Sequence, residues 1–325
     1  MTNGTRTTIR PARRETALAG RVLLALALIG PLSGCSIKRL AVNKVGDALT
    51  GSGTTFASDD DPELVRQAVP FSLKLMESLL AESPRHQGLL FATASGFTQY
   101  AYAFVQQDAD EMEGQDLAKA TEMRTRAKRL YLRARDYGLR GLEATHPGFA
   151  TKLREAPRQA VRVTKAAEVP LLYWTAASWG AAISLSKDDP NRVAEIPQME
   201  ALIDRALALD ENWDRGAIHH FLITYEMARQ GAKGDAAARS RQHFERAMEL
   251  SRGELAGPLV AFAEAVCVQK QDVQQFDELL QRALAIDADA RPECRLVNLV
   301  MQRRAKWLLA KREDLFLIPE KPPTK

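Results

Sequence analysis

The chain has 325 residues, 46% of them apolar and 26% charged, with 45 Lys and Arg against 41 Asp and Glu. The formal net charge of +4 belongs to the first 34 residues, which hold five arginines and one glutamate. The remainder is balanced and lacks the basic footprint that phosphate neutralisation demands of a nucleic-acid binder, and its length, about 290 residues, suffices for one large domain or a repeat array.

At the N-terminus, Arg6, Arg10, Arg13 and Arg14 precede an apolar run from Val22 to Ile29 and a Gly30-Pro31 turn. This is the layout of a secretory signal peptide. The run falls short of the ~20 apolar residues a bilayer span needs, so it reads as a cleaved segment rather than an anchor. Leu32-Ser33-Gly34-Cys35 resembles the lipobox of bacterial lipoproteins, which implies cleavage after residue 34 and lipidation of the Cys35 thiol. Several acyl chains, at about 0.8 kcal/mol per buried CH₂, would hold such a protein on a membrane. The uncharged Ser36 favours the outer membrane under the usual sorting preference, so the expected location is the periplasm, anchored by lipid. Residues 35–61, with Gly46, Gly51, Ser52, Gly53 and the Asp59-Asp60-Asp61 run, read as a lipidated tether.

From Asp61-Pro62 the pattern is helical, with an aspartate cap and proline at the first helical position. Further helices are expected near 88–107, 115–145, 150–164, 169–186, 197–210, 212–230, 235–251, 255–270, 272–287 and 291–312. Period-2 apolar runs are absent, so no strand is expected. The domain is taken as 62–318, with 319–325 as a frayed tail.

Three helices end alike: Arg205-Ala206-Leu207-Ala208-Leu209-Asp210, Arg246-Ala247-Met248-Glu249-Leu250-Ser251 and Arg282-Ala283-Leu284-Ala285-Ile286-Asp287. Each alanine has a bulky apolar residue three positions earlier: Ile203, Phe244 and Leu280. This is the ending of the second helix in a tetratricopeptide unit, where alanine allows close backbone approach. The expected fold is therefore all-α, about four tetratricopeptide-like hairpins flanked by capping helices near 62 and 291; a plain helical bundle is the alternative.

Catalytic signatures are missing. There is no glycine-rich phosphate loop and no serine nucleophile elbow. His219 and His220 are adjacent, so on a helix they point about 100° apart and cannot chelate one metal; one is expected in the core and one in solvent. No metal, cofactor or enzymatic activity is expected. The carboxylates from Asp108 to Asp116 read as a polar inter-helix loop, and the basic stretch from Lys119 to Arg135 as a solvated helix face. Cys267 and Cys294 are expected as free buried thiols, because successive repeats would offset them by on the order of 10 Å along the helix axes.

First helices of such hairpins line a concave face. Taking Gly96, Gly180 and Trp213 as packing anchors, the residues offset toward that face are Phe97, Tyr100, Trp174, Ile218 and Phe221, an apolar groove suited to a hydrophobic ligand or a partner segment.

One stretch is more specific. Tyr173-Trp174-Thr175-Ala176-Ala177-Ser178-Trp179-Gly180-Ala181-Ala182-Ile183, after Val169-Pro170-Leu171-Leu172, joins the lipobox and the Arg-Ala-Leu-x-Leu-Asp ending. Together they resemble the T component of tripartite ATP-independent periplasmic (TRAP) transporters, the TatT family, from about Phe71 to Leu315. The resemblance implies a non-enzymatic, lipid-anchored periplasmic protein that forms trimers, docks the substrate-binding P component and handles a hydrophobic ligand. The insert at 186–198 and the loop at 230–238 depart from the family pattern and bear on the partner surface. The other reading is a tetratricopeptide lipoprotein scaffold for outer-membrane or cell-wall assembly.

Overall fold

The computed structural model describes residues 1–4, 42–48 and 54–317. The signal segment, Cys35, much of the tether and the tail from residue 318 lie outside the described residues. Two compact units divide the chain, Met1–Val45 and Gly46–Lys325. In the first, the described residues are 1–4 and 42–45, the latter helical. The second holds the helical body, which is all-α as its periodicity requires, with no strand among the described residues.

The body begins with α1 (Pro62–Glu82), whose cap Asp61 accepts from the Glu63 and Leu64 amides. Next come α2 (Gln87–Ala101) and α3 (Leu117–Thr145). A π turn, Tyr102–Gln106, carries the axis of α2 on into Gln107–Met112. The segment expected as one helix near 150–164 is broken into Phe149–Glu155, Pro157–Ala160 and Val161–Val163, because Pro157 has no amide to donate and disfavours a helical residue before it. Then follow α4 (Val169–Ser184), α5 (Ile196–Leu209), α6 (Ala217–Glu226), α7 (Ala236–Leu250) and α8 (Ala256–Phe262). A second π turn, Ala263–Cys267, extends α8 to Lys270. The last two long helices are α9 (Val273–Leu284) and α10 (Arg295–Ala310). Asp116, Asp235 and Asp272 cap α3, α7 and α9 as Asp61 caps α1, each such cap stabilising its helix by ~1 kcal/mol.

Consecutive helices pack in pairs, α2 on α3, α4 on α5, α6 on α7 and α8 on α9. Between pairs, α3 lies on α4 and α7 on α8. The small residues at these crossings explain how close the backbones come. Ala206, Ala247 and Ala283, from the three matching endings, are fully buried. A methyl group added at Gly141 would sit 2.8 Å from a Leu171 methyl, and one at Gly96 equally close to Leu73. Gly138 faces the Thr175 side chain, so α3 and α4 meet through glycines that the repeat pattern alone does not single out.

The body also closes on itself. The helix α10 packs on α8 and α9 and reaches α1. Val65 of α1, Ala103 and Phe104 of the first π turn and Val300 of α10 share one buried apolar cluster. The Tyr102 hydroxyl lies 3.7 Å from Met301 Sδ, a contact between residues 199 apart in sequence.

Candidate functional site

The five groove residues divide by burial. Phe97 is 4% exposed and packs with Leu73, Ala134 and Tyr137, its ring parallel to Tyr137 at 6.2 Å. Ile218 is fully buried in the core around α4 and α5. These two are packing residues, because the faces they occupy are already covered by neighbouring helices. Tyr100, Trp174 and Phe221 are half-buried and keep part of their rings open. Tyr100 tilts against Phe104 under the Arg126 guanidinium, and Phe221 rests 3.2 Å from where a Gly180 side chain would begin and stacks on Tyr225.

Trp174 belongs to a row of rings. Tyr173 meets Trp174 edge-on at 5.0 Å and Trp213 at 4.8 Å with planes 51° apart. Trp213 starts the turn Trp213–Gly216, which precedes α6. The sequence pattern predicts helix from 212, yet Asp214 (φ 45°) and Arg215 (φ 55°) are both left-handed, followed by Gly216 at φ 85°. Left-handed backbone costs a residue with a Cβ roughly 1–2 kcal/mol, so two in succession must be imposed by their surroundings. Leu250 and Ala247 of α7 press on Gly216 and supply part of that constraint. Arg215 turns outward and donates to Glu254 and Glu293, each at 2.7 Å. Asp214 is exposed, and its side chain has no hydrogen-bond or ion-pair partner among the described residues.

The histidines are placed differently from expectation. His219 Nδ1 lies 2.8 Å from His243 Nδ1 of α7, and His219 Nε2 lies 3.4 Å from Glu211. Neither ring of the adjacent pair is the solvated one expected: His220 is wedged against α8, where a Gly257 side chain would begin 2.6 Å from its Cε1. Burial pushes His220 down to about 4. Burial, aided by the His219 charge, pushes His243 down to about 4 as well. Neutral rings therefore fill the interior of the α6/α7 pair, and no local pattern indicates that His243 would meet His219 across the hairpin.

The carboxylates from Asp108 to Glu111 are not a loop but the continuation of α2, and they tie the two ends of the body together. Arg66 of α1 and Arg303 of α10 both donate to Asp108, and Arg303 also to Glu111 at 2.6 Å. Arg304, 8% exposed, donates to Asp110 at 2.8 Å and to Glu264 in the second π turn. Arg124 takes the other side of Asp110 at 2.9 Å. The basic stretch on α3 is thus partly an internal ion-pair face, Arg135 covering Trp179 at 5.1 Å while reaching Glu195. Beside this seam a cleft of about 510 Å³ is lined by Glu111, Leu299, Gln302, Arg303, Lys306 and Trp307. A smaller one, about 290 Å³, lies between α7, the end of α8 and the start of α9.

Among the described residues no group of three or more His, Cys, Asp or Glu side chains is placed to hold a metal ion. Cys267 and Cys294 are free and buried, and burial raises the Cys267 thiol to about 12, where the reactive thiolate is suppressed. No described helix is long and apolar enough to cross a membrane. The described surface carries the half-buried rings, the two clefts and the ion-pair seam.

The departure from the expected family pattern at 186–198 is an ordered element. A short turn of helix, Pro190–Val193, leads to Glu195, whose Oε2 accepts from Trp179 Nε1 at 2.7 Å. The insert is thereby pinned to the most family-like stretch of the sequence. The sequence profile of the TRAP transporter T-component family matches residues 58–316, which span the helical body. An uncharacterized protein of Treponema pallidum (strain Nichols) is 29% identical over 304 residues, covering 88% of this chain and 94% of that relative. The chain therefore belongs to the TRAP transporter T-component family and is an accessory component of such a transport system.

Proposed function

We propose that this chain is a lipid-anchored periplasmic accessory protein that docks the substrate-binding P component of a TRAP system and offers it an apolar groove for a hydrophobic ligand. The observation that carries the reading is the family match over residues 58–316, which places this helical body, rather than one repeat of it, in a transport context. The half-open rings of Tyr100, Trp174 and Phe221 on α2, α4 and α6 support the groove, because removing such surface from water drives apolar binding. Cys35 supplies the anchor in this reading, the outer membrane is the expected sheet, and the protein works as a homo-oligomer, a trimer by family likeness.

Affinity capture from envelope extracts with the full chain, followed by mass spectrometry, tests the docking. A periplasmic substrate-binding protein of the TRAP type is the expected catch. Recovery of cell-wall synthesis proteins alone would support the scaffold reading instead. A Cys35→Ala variant is expected to leave the membrane fraction, because no charge excess remains past residue 34 to hold it there.

A further inference from the structure

We propose that one end of the helical body, where the α1–α2 turn meets the connection between α3 and α4, is a surface for anionic phospholipid headgroups that turns the anchored protein with that end toward the bilayer. Arg85 of the α1–α2 turn donates to the Ala144 carbonyl at the end of α3, and Arg140 of α3 donates back to the Pro84 carbonyl. The helices α3 and α4 run antiparallel, since Gly141 meets Leu171 and Gly138 meets Thr175. The whole connection from His146 to Glu168 therefore lies at this same end. Phe149 and Leu153 bury into the core with Leu142, which holds the polar side of the connection outward. That side carries Lys152, Arg154, Arg158, Arg162 and Lys165, all exposed, as is Arg85.

None of these six cations belongs to an ion pair among the described residues. Arg85 and Arg154 donate to a carbonyl and a hydroxyl, whereas Arg66, Arg124, Arg239, Arg303 and Arg304 in other parts of the body all hold carboxylates. Two acids of this end are committed elsewhere: Glu143 accepts from the Gly148 and Ala150 amides, and Glu168 from the Lys165 amide while meeting His146 at 2.8 Å. Within the two segments, 82–87 and 140–168, Glu82 and Glu155 are the exposed acids, so the charge turned to solvent is positive. Unpaired cations gathered in this way attract a dense anionic surface.

The chain that leads to this end decides which surface it meets. Gly46 is buried here, where a side chain on it would begin 2.8 Å from His86 Nε2, and Asp47 lies 3.3 Å from the same ring nitrogen. From Gly46 back to Cys35 the chain reaches at most about 40 Å, so acyl chains on Cys35 keep this end close to the membrane. The choice of a bilayer over an acidic protein rests in this respect on the lipoprotein reading. The patch orients the protein and does not hold it, since the chain is balanced in charge past residue 34. At the headgroups each Lys or Arg is worth roughly fivefold in partitioning, and the anchor supplies the local concentration at which several such contacts act together.

The full chain, isolated from membranes and reconstituted into vesicles of phosphatidylcholine with or without phosphatidylglycerol, tests the contact through acetylation by a water-soluble reagent, read lysine by lysine in a mass spectrometer. Lys152 and Lys165 are expected to react at least about fivefold more slowly on the anionic vesicles, with the exposed Lys306 of α10 unchanged. High salt is expected to remove the difference while the protein stays on the vesicles. Arg154→Gln combined with Arg158→Gln is expected to restore labelling of Lys165 at an unchanged thermal midpoint, because neither arginine forms an ion pair in the body. Equal labelling on the two vesicles, or protection that persists in high salt or in the variant, would overturn the proposal. Protection that appears only when the substrate-binding component is added would overturn it too, by assigning the face to a protein. The intact mass of the chain reads acylation of Cys35 separately. Should the mass show none, the anchor reading fails, and the same labelling with the chain coupled through the Cys35 thiol to a maleimide lipid still decides the headgroup contact.

Discussion

Single positions in this body are decided by how near a neighbouring backbone comes. At Gly257 an added methyl would meet the buried His220 ring at 2.6 Å, and at Gly138 it would collide with Thr175, whose Cα is 3.3 Å away. Neither partner has room to retreat, because one is a wedged ring and the other is held by the helix it belongs to. Gly257→Ala and Gly138→Ala are each expected to destabilise the protein by about 1–3 kcal/mol in urea unfolding, the range for overpacking a close contact. Glu226 is the opposite case, a 3% exposed carboxylate. Burial alone would raise its pKa, but Arg239 at 2.5 Å and Arg229 at 2.8 Å outweigh it and hold it below the usual value. Arg239→Ala leaves Arg229 on the carboxylate, so it should cost about 1.5–3 kcal/mol in the same experiment, the range for one hydrogen bond to a charged group. The sequence announced neither residue. Glycines at 96 and 180 were legible because they recur at one position of a repeated unit. Those at 138, 141 and 257 act through residues on other helices.

Among the elements, the α6/α7 pair stands apart because it buries neutral histidines. His220 and His243 are held down at about 4, against an ordinary value near 6.5 in the unfolded chain. Charged groups facing the pair are Glu211 and Arg246 beside His219, and Glu226, Arg229 and Asp204 beside His243. With folded values depressed, the unfolded chain takes up protons first as the pH falls. The stabilisation is complete above about pH 6.5 and is lost between there and about pH 4. Unfolding free energy is expected to drop by on the order of 1–3 kcal/mol between pH 7 and 5. A His220→Leu variant should show a shallower slope over the same interval, measured by denaturant titration at each pH. An equal slope would mean that the histidines are not what sets it. The pair was foreseen as a hairpin from its Arg-Ala-Met-Glu-Leu-Ser ending. Its entry was not, because Trp213-Asp214-Arg215-Gly216 looks locally like a helix start, and the left-handed turn depends on contacts from another helix, among them Leu250 and Ala247 on Gly216.

At the scale of the whole helical body, the feature that sequence could not reveal is the seam. Arg303 and Arg304 meet Asp108, Asp110 and Glu111 across 192 to 195 residues, and no local period encodes a contact of that range. The repeat endings told how neighbours stack but not that the last helix returns to the first pair. Arg304, stacked 4.2 Å over Trp307 while bridging two acids, is the centre of that closure. Arg304→Met should loosen it by about 1.5–3 kcal/mol, the range for hydrogen bonds to charged groups, because Asp110 keeps Arg124 and the Glu264 side chain keeps contact with solvent. Hydrogen exchange would show faster exchange in the 102–112 segment and in α10, with the α4/α5 pair unaffected. The central claim, that this closed body is a docking module of a TRAP system, is tested most directly by mixing the purified chain with the substrate-binding component of the same system in an analytical ultracentrifuge. A saturable complex at concentrations below about 100 µM is the predicted result. Independent sedimentation of the two proteins at that concentration would contradict it.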